Sequence, residues 1–196
     1  MAENILSDYI RFPFRFHEIL NDSQKMDFKL ASNPDVGALL RTLVSSKPKS
    51  KILELGTGTG LGAIWIIDGM DNSSEFHTVE NDKKLLSILQ KYFSEDSRVK
   101  IYNSTGEDFI SKNINVKYDF IFADTWPGKF ILLDEVLDMI KIGGIYLIDD
   151  MKIMNDWPKE HIEKVSILRE KLNKRTDFNV CNLEYSTGLM ICSKLF

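Results

Sequence analysis

The run Ile52-Leu53-Glu54-Leu55 passes directly into Gly56-Thr57-Gly58-Thr59-Gly60, an apolar strand pattern opening onto a turn with three alternating glycines. Glycine carries no Cβ, so a turn of this kind lets a ligand come close to the backbone. A helix over about residues 61–70 would aim the positive end of its dipole at that turn, which suits polar or anionic ligand groups. Glu80 closes the next strand-like run, where a carboxylate can accept both hydroxyls of a ribose. Turn and acid together describe a nucleoside pocket at the carboxyl edge of a parallel sheet.

Two cofactors fit that description. Gly58-Thr59-Gly60-Leu61-Gly62-Ala63 satisfies the relaxed G-x-G-x-x-A dinucleotide pattern, which keeps a nicotinamide-dependent oxidoreductase open as a reading. S-adenosylmethionine needs less: it has no pyrophosphate, so the turn has only to admit the methionine moiety, and Glu54 can help to hold its amino group. A third reading is a cofactor-binding protein whose catalytic loop has lapsed. A second group of chemistry-bearing residues is acidic: Asp124 ends the fourth candidate strand, and Asp149 and Asp150 end the fifth. In a doubly wound sheet both ends open onto the same crevice as the glycine turn. Hard oxygen ligands there suit Mg²⁺ or Mn²⁺ more than zinc. His17, His77 and His161 are scattered without metal spacing and read as packing residues, and Cys181 and Cys192 as small core residues.

The elements that would position these groups follow from apolar patterning. Candidate strands fall at 51–55, 76–80, 99–103, 118–124, 144–149, 179–185 and 189–194, most of them too apolar for a half-exposed sheet. Between them, Leu85, Leu89 and Tyr92 keep one helical face, and Leu133, Val136, Leu137 and Ile140 another before Gly143-Gly144. Asn33-Pro34 reads as a helix start, with Leu39, Leu40, Leu43 and Val44 as its apolar face. The alternation predicts an α/β fold: a doubly wound, seven-stranded, mostly parallel, Rossmann-like sheet. Only Ser186-Thr187-Gly188 separates the last two runs, too little for a crossover helix, so these should form an antiparallel C-terminal hairpin. Residues 1–32, with aromatic residues but no clean period, read as a segment that packs on or lids the site, and 33–196 as a single domain.

Charge and composition narrow the partners. Lys and Arg number 25 against 29 Asp and Glu, a net charge of −4 without basic clustering, which argues against nucleic acid. No apolar run reaches the roughly 18 residues of a membrane span. Two cysteines and no charged-then-apolar leader in residues 1–10 read as a protein of the reducing cytoplasm.

Taken in order, Glu54-Leu55-Gly56-Thr57-Gly58-Thr59-Gly60, Thr78-Val79-Glu80, Gly106-Glu107-Asp108 and Asp149-Asp150 make the sequence resemble class I S-adenosylmethionine-dependent methyltransferases. Tyr118-Asp119-Phe120-Ile121-Phe122-Ala123-Asp124-Thr125-Trp126 is similar to the fourth strand and loop of the catechol and caffeoyl-CoA O-methyltransferase group. The resemblance implies an O-methyltransferase with a small-molecule acceptor, and a homodimer is compatible with it. It implies Glu80 at the ribose, Glu107 at the adenine and Trp126 at the ring face. Glu54, Gly56, Thr57, Gly58, Gly60, Asn81, Gly106 and Asp124 complete the implied cofactor-contacting set. It also implies a divalent cation on Asp124, Asp149 and Asp150, the family pattern having Asn at the third position, and Asp124 as a catalytic group. The family's lysine base falls at Pro127, which cannot take a proton, so Lys129 becomes the candidate base, its alternative being to start the next helix and face solvent. The acceptor would be shaped by residues 1–32 and 151–158, which match no substrate rule.

Overall fold

The computed structural model describes residues 9–153 and 157–196. Expected features on residues 1–8 and 154–156 lie outside the described residues.

A seven-stranded sheet forms the centre, in the order β3-β2-β1-β4-β5-β7-β6. Its strands are β1 (Lys51–Leu55), β2 (Glu75–Glu80), β3 (Val99–Asn103), β4 (Tyr118–Ala123), β5 (Ile140–Ile148), β6 (Phe178–Leu183) and β7 (Leu189–Lys194). The first five pair in parallel, and β7 runs antiparallel to both β5 and β6. The C-terminal hairpin therefore forms as expected, with its second strand inserted between β5 and β6.

Helices α1 (Phe16–Lys25), α2 (Pro34–Ser45), α3 (Leu61–Gly69) and α4 (Lys83–Phe93) pack on one face, with α5 (Gly106–Asn113), α6 (Leu133–Asp138) and α7 (Lys159–Asn173) on the other. Side chains alternate across a strand, and β1 shows the consequence. Leu53 and Leu55 join Phe109, Val136 and Val165 in one apolar cluster, while Ile52 joins Leu61, Trp65 and Leu89 in the other. Glu54 shares the parity of Ile52 and is carried into the α3 side, a placement that governs its chemistry.

Three expectations are corrected here. Ile140 does not extend the sixth helix: it pairs with Tyr118 as the start of β5, and the register then jumps so that Ile145 faces Phe120. Gly143, at φ 72°, sits in the intervening bulge. The buried face of α4 is Leu86, Ile88, Leu89 and Phe93, with Leu85 turned towards a cavity. Cys181 is exposed on edge strand β6, whereas Cys192 on β7 is buried. Residues 9–32 are also more regular than their sequence suggested. The buried Phe16 and Ile19 of α1 join the α2–α4 core, and the Ser23 hydroxyl meets that of Thr59 at 2.7 Å.

Candidate active site

The sheet order reverses between β1 and β4, and the crevice opens at their carboxyl ends. The Asp124 amide donates to the Leu55 carbonyl at 3.0 Å, which brings the two strand exits side by side. Gly56 has φ 89°, and a Cβ there would stand 2.7 Å from Thr125 Cβ. At Gly58, φ 58°, a Cβ would stand 2.7 Å from Phe28 Cζ, so Phe28 lies directly over the turn. A side chain at either position would be both strained and blocked.

Two cavities meet around this turn. One is lined by Phe28, Ser32, Glu54, Gly58, Leu85 and Asp124, among others. The second, beyond Gly56 and Glu80, is lined by Asn81, Gly106, Glu107, Thr125 and Pro127. Glu80 stands between them: its Oε2 accepts the Gly58 amide at 2.9 Å, and its Oε1 the Asn81 and Asp82 amides at 2.8 and 2.9 Å. These bonds aim the carboxylate across the crevice and leave lone pairs for further donors. The Thr105 hydroxyl caps α5 by accepting the Asp108 amide at 3.2 Å, which presents Gly106 and Glu107 at the rim of the second cavity.

Glu54 is 1% exposed. The Thr78 hydroxyl donates to its Oε2 at 2.6 Å, and Thr78 in turn meets the Thr57 hydroxyl. Burial pushes the carboxyl up to about 8 despite the Thr78 bond, with the charges of Asp124 and Glu80 adding to the rise.

Asp124, Asp149 and Asp150 stand at neighbouring strand ends, close enough for their charges to act on one another. Asp124 Oδ2 accepts the Ser32 hydroxyl at 3.1 Å. Its carboxyl is held well above the usual range by burial first, then by the charges of Asp149 and Asp150. Asp149, 2% exposed, accepts the Thr187 hydroxyl and, at 2.7 Å, the Asp150 amide. Burial and the Asp150 charge raise it too. Asp150 takes a left-handed backbone, φ 58°, and is half-buried. Lys129 does not face solvent: it is 3% exposed, with its ammonium 4.0 Å from Asp150 Oδ2.

Trp126 departs from its expected place. It lines neither cavity around Glu80, where Thr125 and Pro127 stand instead. Its ring, 45% exposed, packs edge-on against Phe130 with the Lys164 ammonium 4.3 Å from its centroid. The tight turn explains this, since the amides of Lys129, Phe130 and Ile131 all donate to the Trp126 carbonyl. His161, read as a scattered packing residue, belongs to the same corner: it packs edge-on to Phe130 and Trp157, and burial followed by the Lys129 charge lowers its pKa. Its sequence signal was faint, because α7 brings it in from far along the chain. Phe28, Ser32 and Thr187 were likewise missed, each reaching the crevice from a loop without a motif.

A sheet of this order, with a glycine turn and an acid-lined crevice at its switch point, defines a class I methyltransferase fold. A family model described as O-methyltransferase matches residues 15–195, and the chain belongs to that family. A relative from Mycobacterium leprae, also named for O-methyltransferases, is 30% identical over 101 residues, which cover 50% of this chain and 45% of that protein. The chain thus matches about half the length of such relatives. Among solved structures, the O-methyltransferase TomG from Streptomyces achromogenes, in complex with SAM, superposes with a TM-score of 0.84 at 18% identity, over 97% of this chain and 93% of TomG. An O-methyltransferase from Bacillus cereus in complex with SAH gives 0.85 at 18% identity, over 98% and 96%. At that identity these likenesses speak for the fold.

Proposed function

We propose that this protein transfers the methyl group of S-adenosylmethionine to an oxygen of a small-molecule acceptor. The observation that carries the reading is the pair of cavities flanking Glu80, one reaching the buried Glu54 and Asp124, the other reaching Glu107. Glu54 and the turn Gly56-Thr57-Gly58 with Gly60 would hold the methionine moiety, Glu80 and Asn81 the ribose, and Gly106 and Glu107 the adenine. Pro127 would face the base in place of Trp126, and Trp126 with Phe130 and His161 would wall the acceptor side. Family membership and the closing hairpin count against the nicotinamide oxidoreductase.

Bound there, S-adenosylmethionine would supply a methyl group made electrophilic by its sulfonium, which passes to the acceptor oxygen while the C–S electron pair stays on sulfur. The chain's own residues orient and deprotonate the acceptor. Asp124 takes the acceptor hydroxyl proton, a role that its raised affinity for protons favours. Ser32, bonded to Asp124, and Phe28, laid on Gly58, let residues 28–32 cover the crevice and exclude water. Phe28→Ala should weaken cofactor binding about three- to tenfold by exposing the turn, measured by calorimetry.

The divalent cation implied by the resemblance does not fit the arrangement. Among the described residues no group of three or more His, Cys, Asp or Glu is placed to hold a metal ion. The carboxylates are instead directed to Ser32, to Thr187 and to Lys129 respectively. No step here runs through a metal. No helix among the described residues is long and apolar enough to cross a membrane, and a cytoplasmic protein acting on small molecules accords with this reading.

Calorimetry tests the cofactor: S-adenosylmethionine or S-adenosylhomocysteine should bind, with NAD and NADP at least about tenfold weaker. Preferential binding of NAD would overturn the reading, and binding without turnover on a panel of hydroxylated acceptors would favour a lapsed enzyme. Glu80→Ala should weaken the nucleoside by about 1–3 kcal/mol, because two ribose hydroxyls lose their shared acceptor. Unchanged affinity would place the ribose elsewhere.

A further inference from the structure

Lysine is almost never fully buried without a counter-charge, since its ammonium must leave water. Lys129 is driven inward by its own loop. The amides of residues 129, 130 and 131 donate to the Trp126 carbonyl at 3.0, 2.8 and 3.2 Å, and Gly128 adopts φ 87°. The buried Tyr146 hydroxyl donates to the Gly128 carbonyl and ties the loop to β5. A Cβ at Gly128 would stand 2.6 Å from Leu55 Cδ1, so the loop lies hard against β1 as well. The Lys129 ammonium therefore has a fixed position, 5.5 Å from the centroid of the Phe130 ring and 4.0 Å from Asp150 Oδ2. The second distance is too long for a direct hydrogen bond and leaves room for an oxygen atom beside the ammonium.

We propose that the Lys129 ammonium is the resident cation of the corner formed by Asp124, Asp149 and Asp150, and that it meets the acceptor oxygen in place of a divalent ion. Only the acceptor's part in this rests on the methyltransferase reading. The charges support the exchange: Asp150 follows Asp149 directly, and its carboxylate is the one that Lys129 faces. A dication entering the same corner would meet a buried ammonium at short range in a medium that screens poorly, with twice the repulsion of a single charge. Lys129 donates to the acceptor oxygen while Asp124 takes the acceptor's proton. Arginine's longer fork would keep the charge but crowd the oxygen.

Titration of the full chain with Mn²⁺, followed by electron paramagnetic resonance, tests this directly. Wild type and Lys129→Arg should show no saturable Mn²⁺ binding below about 1 mM. Lys129→Met, of similar volume and without charge, should gain a site at least about tenfold tighter, and Asp149→Asn added to it should abolish the gain. Turnover of wild type should be indifferent to EDTA. Saturable micromolar Mn²⁺ binding by wild type, or Lys129→Met binding no better than wild type, would overturn the proposal. Should Lys129→Met fail to fold by circular dichroism, Lys129→Gln makes the same comparison, and the wild-type titration remains decisive. S-adenosylhomocysteine calorimetry on the same samples separates the two readings: failure to bind it removes the methyltransferase function and leaves the metal result standing.

Discussion

Glu54→Gln should make the free protein more stable and the cofactor weaker, two changes of opposite sign from one substitution. In the folded chain burial raises the Glu54 carboxyl from 4.5 to about 8. The folded state therefore holds a proton that the unfolded chain releases, and the stability this group contributes is fully present below pH 4.5 and is lost as pH rises through about 8. At pH 7 the cost relative to an uncharged side chain is about 3 kcal/mol, and glutamine removes most of it, giving an expected gain of about 1–3 kcal/mol in urea unfolding. Binding runs the other way. An ammonium group on the methionine moiety has to displace that proton, so affinity for S-adenosylmethionine should rise about tenfold per pH unit from 6 to 8, with a proton released. Above pH 8 the ligand's own amine deprotonates and affinity should turn down. Glu54→Gln should bind about 10–100-fold more weakly and lose the pH slope below 8. A wild-type affinity flat across this range would make Glu54 a packing residue beneath Gly62.

The features most legible in the sequence were those fixed by local chemistry. β1, β3 and β7 fall on their expected residues because each is a short apolar run bounded by turn residues. The glycine turn was equally plain, since positive φ and close approach leave little choice of residue. Features depending on distant partners were obscured. Ile140 continues the helical spacing of Leu133, Val136 and Leu137, and only its pairing with Tyr118 makes it a strand residue. Helix α1 was hidden because its buried face includes Ser23, whose hydroxyl is satisfied by Thr59 and the Ile19 carbonyl. Cys181 looked like core because nothing local distinguishes an edge strand from a central one. At the site, the sequence order placed Asp124, Asp149 and Asp150 at neighbouring strand ends, where their charges act on one another. Lys129 turns inward and Trp126 outward on a loop whose Gly128 carbonyl accepts a hydrogen bond from Tyr146 on another strand.

Asp124→Asn should leave cofactor binding within about threefold of wild type while lowering kcat by about 10²–10⁴, the range expected when a positioned general base is lost. Asparagine keeps the size of the side chain and an acceptor for the Ser32 hydroxyl, so the cover over the crevice is retained. What it loses is the capacity to take a proton. Wild-type Asp124 is well suited to that step: burial and two neighbouring carboxylates raise its proton affinity, while the Lys129 charge opposes the rise and helps to keep the carboxylate available. The alternative base, Lys129, predicts a different result, because Asp124→Asn would remove a charge near the lysine without removing the base, and the loss would shrink as pH is raised. A kcat that stays low from pH 6 to 9 in Asp124→Asn, with affinity for S-adenosylhomocysteine unchanged, assigns the proton to Asp124. Recovery towards the wild-type rate at high pH would assign it to another group and leave Asp124 as the residue that orients the acceptor hydroxyl.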